Sequence, residues 1–148
     1  IAIQYQKYFQ IDILRLFTIY GPGQKKMLFP TIVERIKKSE EIELAKGIGV
    51  YLTPLYINDL TNIIKKIITL NCTKDFRLIN VCGDDVISLK EIVIQLQSLM
   101  QKKAKIKFTN AKPQSFIGSN EKLKKLINNI NFTHIKKGLS NLINYNED

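Results

Sequence analysis

The stretch that most constrains this chain is Leu14-Arg15-Leu16-Phe17-Thr18-Ile19-Tyr20-Gly21-Pro22-Gly23-Gln24. Ile11, Ile13, Leu14, Leu16, Phe17 and Ile19 form a run too continuously apolar for a half-exposed strand. Such a run reads as a strand covered on both faces, as in a parallel α/β sheet. Gly21-Pro22-Gly23 stops it, because proline has no N–H for a sheet ladder and glycine allows a sharp turn. In open α/β sheets, ligands collect beyond the carboxyl ends of strands. Thr18, Tyr20 and Gln24 would stand at such an end. A buried strand followed by an ordinary turn has the same spacing, since a fold does not fix a function.

Around this stretch the pattern alternates between strand and helix. Strands are expected at about residues 12–18 and at Phe76–Val81. Residues 1–9 read as the tail of an amphipathic helix. Pro30 suits the first turn of a helix with Ile32, Val33 and Ile36 on one side and Glu34, Lys37 and Lys38 on the other. Glu41–Ala45 alternates as a short strand, and residues 46–49 turn. Residues 50–52 read as the returning strand of a hairpin, ended by Pro54. Leu55, Tyr56 and Ile57 form a brief extended stretch. Asn58 or Asp59 is expected to cap a helix running to Leu70, whose Leu60, Ile63, Ile64, Ile67 and Ile68 follow helical spacing. Residues 73–75 read as a loop. Ser88-Leu89-Lys90-Glu91 is a capping box opening a helix to about Met100. Residues 104–108 alternate as a strand near the surface, and 110–115 form a loop around Pro113. Residues 120–127 form a short helix, and Thr133 is expected to cap the last one. No internal repeat or linker interrupts this order, which argues for an α/β fold with small added strands.

Size and charge narrow the classes. The chain has 148 residues, 45% of them hydrophobic, enough for one domain with a sizeable core. No apolar run reaches the roughly 18 residues of a membrane-spanning helix. The leading Ile-Ala-Ile-Gln-Tyr-Gln-Lys lacks the charged-then-apolar layout of a signal peptide. Cys72 and Cys82 are the only cysteines, with no CxxC and no histidine cluster, so two reduced thiols in a cytoplasmic protein is the plain reading. The net charge of +10 raises nucleic-acid binding as a class. The lysines, however, come as scattered pairs, and only three residues are arginine, the usual base reader. Nucleic acid is therefore disfavoured as a partner.

The chemistry-bearing motifs are few. No GxGxxG fingerprint opens a helix, and no Tyr-x-x-x-Lys pair occurs. His134 has no acid beside it in sequence, so it reads as structural or exposed. Asp84-Asp85 reads as a strand end with too few ligands for a metal.

The central stretch resembles the "Arg-x-Phe-Asn/Thr-x-Tyr-Gly-Pro" segment of the NAD-dependent epimerase/dehydratase family, the extended short-chain dehydrogenases acting on nucleotide sugars. Other segments follow in the family's order. Leu28-Phe29-Pro30 through Ile36 is similar to its "phi-x-Pro" helix, phi meaning apolar. Gly47-x-Gly49 through Tyr56-Ile57-Asn58-Asp59-Leu60 resembles "Gly-x-Gly … phi-Tyr-Val-x-Asp-phi". Leu78-Ile79-Asn80-Val81-Cys82-Gly83 resembles "phi-Asn-phi-Gly", the last strand of the nucleotide-binding sheet. Lys122-Leu123 and Lys137-Gly138-Leu139 resemble the terminal "Ser-Lys-x-x-x-Leu-Gly … Glu-Gly-Leu".

The resemblance implies the last strands and helices of a Rossmann-type parallel sheet plus a small α/β substrate-binding part, with the strands near 12–18 and 76–81 in the nucleotide-binding sheet. It implies that residues 1–148 are the C-terminal half of such an enzyme, with the N-terminal Rossmann half as a missing partner. NAD is the implied cofactor and a nucleotide sugar the implied substrate, while homodimerisation stays open. Phe17 would approach the nicotinamide through its backbone. Thr18, Gln24, Lys25, Phe29 and Lys112 would lie on the substrate side, and Leu44, Ala45 and Val50 would flank the base. Core packing is the competing role for Phe17 and Phe29, and a solvated surface that for Lys25 and Lys112. Two departures stand out. Leu52-Thr53-Pro54 replaces a diphosphate-holding arginine, and Lys112-Pro113-Gln114-Ser115 replaces "Arg-x-Gly-Asp". Both remove a bidentate phosphate fork. Either Lys25, Lys26 or Lys112 compensates, or the substrate is not a standard nucleotide diphosphate sugar. A non-catalytic nucleotide-sugar binding or regulatory module stays open as the alternative reading.

Overall fold

The computed structural model describes residues 1–70 and 76–145. The expected loop at 73–75 and Cys72 lie outside the described residues. Strand β1 is Ile11–Leu16, β2 Ile19–Tyr20, β3 Glu41–Ala45, β4 Tyr51–Leu52, β5 Leu55–Tyr56, β6 Phe76–Val81, β7 Ile87–Ser88, β8 Lys105–Thr109 and β9 Ser115–Phe116. Helix α1 is Leu28–Lys38, α2 Ile57–Thr69, α3 Leu89–Met100, α4 Glu121–Leu126 and α5 Ile135–Ile143. Residues Ala2–Tyr5 form a short 3-10 helix with no buried side chain, not the tail of an amphipathic helix.

β1 and β6 pair in parallel, Ile11 opposite Phe76 through Leu16 opposite Val81. The register places Asp12 directly opposite Arg77, and the two side chains form an ion pair across the strands. Opposite charges facing each other support one register over its neighbours. The Phe17 N–H continues the ladder to the Val81 carbonyl at 3.1 Å. The chain then changes partner. Thr18 takes φ 30, its carbonyl accepts from the Leu55 N–H at 3.1 Å, and β2 pairs in parallel with β5. The strand expected over 12–18 is thus two strands joined at a strained residue. β1 is also less covered than its apolar run predicts, with Leu16 51% exposed, because β6 is its only strand partner among the described residues.

The hairpin expected at residues 41–52 does not form. Lys46, Gly47 and Gly49 all have positive φ, and the tight turn they make leads β4 away from β3. β3 pairs instead in parallel with β8, while β4 lies between β7 (antiparallel) and β9 (parallel). Two helix caps also differ from expectation. α2 starts at Ile57 without a side-chain cap. Asp59, 6% exposed, instead accepts from the Thr133 N–H at 2.7 Å and hydroxyl at 2.8 Å. With Thr133 so engaged, exposed His134 caps α5 through Nδ1, which accepts from the Lys136 N–H at 3.4 Å. The α3 capping box forms as expected: the Glu91 N–H donates to the Ser88 hydroxyl, and the Ser88 N–H to the Glu91 carboxylate.

Two apolar cores result. The larger joins α1, α3 and α5 through Ile32, Val33, Ile36, Ile92, Val93, Leu96 and Leu139, together with the fully buried Leu44 of β3. The smaller packs Leu60, Ile63 and Ile67 of α2 against Ile79 and Val81 of β6 and Leu123 of α4. Tyr20 stacks on Phe29 at 4.6 Å between centroids, and α5 crosses them at Gly138. A Cβ at Gly138 would lie 2.8 Å from Tyr20 Cζ and 2.9 Å from Cε2.

Two stability outcomes follow from these contacts. Gly138→Ala should lower the unfolding free energy by about 1–3 kcal/mol in urea titration, although alanine is the better helix former. The Glu91 carboxyl is held below its ordinary 4.5 by the Ser88 hydroxyl and then the Ser88 N–H. A depressed folded pKa stabilises above the unfolded value, and the gain is lost as pH falls through the folded one. The melting-temperature gap between the protein and Glu91→Ala should therefore be full at pH 6 (an assay choice at about 1.5 units above the ordinary value) and close progressively below 4.5.

Candidate functional site

At the carboxyl end of β1, where Thr18 marks the partner change, lies a cavity of about 550 Å³. Leu16, Thr18 and Ile19 form one wall, and Met27, Leu28 and Phe29 at the start of α1 a second. Val50 and Leu52 of the β4 segment, with Gln114 and Phe116 of the β9 segment, form the third. Gln24 lies between the first two, and its amide N–H donates to the Ile19 carbonyl at 3.1 Å. Its Oε1 is buried with no donor. The third wall is held by the Tyr51 N–H, which donates to the Gln114 carbonyl at 3.0 Å.

The start of α1 gives this apolar cavity its electrostatics. Met27 is the N-cap and its side chain makes no capping bond; no acidic residue lies in the first turn. The first N–H groups of a helix have no partner within it, and their dipoles favour an anion. Leu28 and Phe29 carry those groups here, whereas Pro30, next along, has none. A cavity of this size with apolar walls, a few polar groups and a helix N-terminus can take a ligand that carries an anionic group.

The expected substrate residues divide. Thr18, Gln24 and Phe29 meet at this cavity. Phe29 does so from the core, at 1% exposure, so it supplies wall and backbone. Lys25 lines a different cavity of about 590 Å³ over α1, together with Lys26, Arg35, Lys37 and Lys38. There Glu34 pairs with Lys37 at 3.5 Å and Lys38 at 3.9 Å. Lys112 is exposed in the loop before β9, outside the lining of the 550 Å³ cavity. Phe17 packs its ring on Gly118, where a Cβ would come within 2.9–3.0 Å of it. Its N–H is engaged by Val81, and its carbonyl is left without a donor among the described residues.

Of the expected base-flanking residues, Val50 lines the cavity and Leu44 is core. Met27, Leu28, Leu52 and Phe116 were not legible as site residues. Helix and strand patterns mark them only as apolar, and the β4–β9 pairing that gathers two of them spans more than sixty positions.

A third cavity, about 510 Å³, collects Tyr20, Asp59, Asp84, Asp85 and His134. Two of its acids serve the fold. Asp59 holds Thr133, and Asp84 pairs with Lys124 and accepts from Asn120. Lys124, then Asn120, hold the Asp84 carboxyl below its ordinary range. Burial, then Asp59 and Tyr56, push the Tyr20 hydroxyl up, so it stays protonated. Among the described residues no group of three His, Cys, Asp or Glu is placed to hold a metal ion, and no helix is long and apolar enough to cross a membrane.

No protein-family model matches this sequence, and no curated protein matches it. Solved structures do match. The UDP-glucuronic acid 4-epimerase from Bacillus cereus, in complex with UDP-glucuronic acid and NAD, aligns with TM-score 0.83 and 22% identity, over 97% of this chain and 48% of that one. The dTDP-glucose 4,6-dehydratase from Bacillus anthracis, in complex with NAD, gives 0.79 and 20%, over 96% and 47%. MoeE5 in complex with UDP-glucuronic acid and NAD gives 0.77 and 18%, over 89% and 45%. At these identities the likeness establishes the fold alone: mixed α/β with parallel strands, matching the C-terminal half of a Rossmann-type fold. The chain spans about half the length of the solved structures it matches.

One substitution isolates the start of α1. Leu28→Glu should leave the melting temperature unchanged or slightly raised, since an acid at a helix N-terminus is favourable. If the α1 N–H groups receive an anion, the same change should weaken UDP binding by roughly tenfold or more in ligand-observed NMR titration.

Proposed function

We propose that this chain is the substrate-binding half of an NAD-dependent nucleotide-sugar epimerase or dehydratase. The observation that carries the reading is the cavity at the carboxyl end of β1. It joins an uncapped helix N-terminus, for a diphosphate, to Thr18 and Gln24, for hydroxyl-bearing groups. The shared fold of enzymes solved with NAD and UDP-sugars supports it. In this reading β1 and β6 belong to the nucleotide-binding sheet of a longer protein, and residues 1–148 act as one unit within it.

The residues present fit a nicotinamide at the end of β1 in one respect. Phe17 has its ring and N–H committed to the fold, which leaves its carbonyl as an acceptor for a carboxamide. When bound, NAD supplies hydride acceptance and return. This chain's residues bind and orient: the α1 N–H groups take the diphosphate, and Thr18 and Gln24 fix the ring beside the β1 terminus. Leu16, Met27 and Phe116 offer the ligand half-exposed apolar surface. Holding reactants in register is a large share of catalysis. The proton-transfer groups belong to the other half, since this sequence has no Tyr-x-x-x-Lys pair and no Gly-rich loop.

The division of labour is testable on the chain as it stands. Calorimetric titration should detect UDP-sugar binding, without turnover and without micromolar affinity for NAD. Micromolar NAD binding would overturn the assignment of cofactor contacts to the other half.

A further inference from the structure

Lysine pairs that are scattered in the sequence meet along α1. We infer that the cavity over α1 binds an oligophosphate chain, either inorganic or carried by a nucleotide. Its walls come from the turn before α1, from α1 itself and from the end of α5. Lys25 and Lys26 line it ahead of the helix, and Arg35, Lys37 and Lys38 at the helix's far end. A third lysine pair reaches the same end, where the Lys102 ammonium donates to the Lys37 carbonyl. Glu34 and Glu40 are the carboxylates of the lining, and Glu34 alone serves both Lys37 and Lys38. The cavity is therefore net positive.

Helix electrostatics account for part of this cluster only. Arg35, Lys37 and Lys38 lie in the last turn of α1, where cations complement the dipole. Lys25 and Lys26 precede the N-cap residue Met27, where a cation opposes it. Lys26 is also held at φ 58, a conformation that glycine would take without strain. A bound polyanion offsets both costs. The lining favours an oligophosphate over a nucleic acid. Single-stranded nucleic acid is held by a continuous cationic groove with successive stacking rings. Here two carboxylates interrupt the cations, and among the described residues Tyr145 is the only aromatic side chain of the lining. A cavity of about 590 Å³ is the size of a small-molecule site. Lysines bind phosphate as point charges, so several of them suit charge spread over successive phosphates.

The test is calorimetric titration with inorganic tripolyphosphate, ATP and AMP at two ionic strengths. Tripolyphosphate should bind roughly tenfold or more tightly than AMP, and more weakly as salt rises. Lys26→Gly should leave the melting temperature unchanged or raised, and yet weaken tripolyphosphate roughly threefold or more. Lys37→Glu combined with Lys38→Glu should weaken it roughly tenfold. ATP binding tighter than tripolyphosphate, with the excess lost in Tyr145→Ala, identifies a nucleotide as the source; equal binding identifies the inorganic chain. No tripolyphosphate binding by protein with the circular dichroism of the folded chain overturns the inference. So does binding unmoved by both lysine variants, or displacement of tripolyphosphate by UDP-glucose, which places the anion in the cavity at the end of β1. Tighter binding of a single-stranded RNA oligonucleotide than of ATP or tripolyphosphate overturns it in favour of nucleic acid.

Discussion

Everything in this structure turns on the parallel pairing of β1 with β6 and on its interruption at Thr18. The six-residue ladder, pinned by Asp12 against Arg77, fixes where the strand ends point. At Thr18 the backbone adopts φ 30, a conformation that a β-branched residue takes only when its surroundings impose it. The Leu55 N–H on its carbonyl and the Val81 carbonyl on the preceding N–H are those surroundings. The strain accompanies a change of strand partner, from β6 to β5, and Thr18 itself stands in the wall of the cavity at the end of β1.

The buried polar groups hold this arrangement from behind. Asn120, 8% exposed, donates to the carbonyls of Cys82 and Gly83, just past the end of β6. The Gly83 N–H donates to the Thr53 carbonyl, and the Thr53 hydroxyl accepts from the Gly118 N–H at 3.0 Å. Backbone groups beyond a strand end would otherwise be buried unpaired, at about 1–3 kcal/mol each. The same contacts place Gly118 under the Phe17 ring, so stabilising the end of β6 also fixes the residue nearest the β1 terminus. Asp59 clasping Thr133 anchors the entry to α5, whose Gly138 closes over Tyr20. Stability and site geometry are here the same set of bonds.

What could be read from the sequence was local. Glu41–Ala45, Phe76–Val81 and the Ser88–Glu91 capping box rest on period, propensity and a reciprocal side-chain bond within four residues, and each forms at the expected position. What could not be read depends on distance. β3 and residues 50–52 look like a hairpin because both read as short strands and a glycine turn joins them. The true partner of β3 lies 64 positions on, at Lys105, and no local signal competes with a turn that fits. The cap errors have the same origin: Asp59 and Thr133 each suit a helix start in isolation, but they satisfy one another across the fold. The candidate site divided likewise. Thr18 and Gln24 flank the Gly-Pro-Gly turn and were legible, whereas Gln114 and Phe116 reach the cavity only through the two-residue pairing of β4 with β9.

The proposed function gives the two departures from the resembled pattern a physical meaning. A guanidinium fork binds a diphosphate strongly, but its long side chain must be ordered, and it brings a full charge near the sugar. The start of α1 offers a partial charge built into the backbone, rigid before any ligand arrives and confined to the first turn. It can hold an anionic linker while leaving the neighbouring wall neutral. In the proposed function, the backbone of the α1 start would be the anion site, since no cationic side chain lines the cavity at the end of β1.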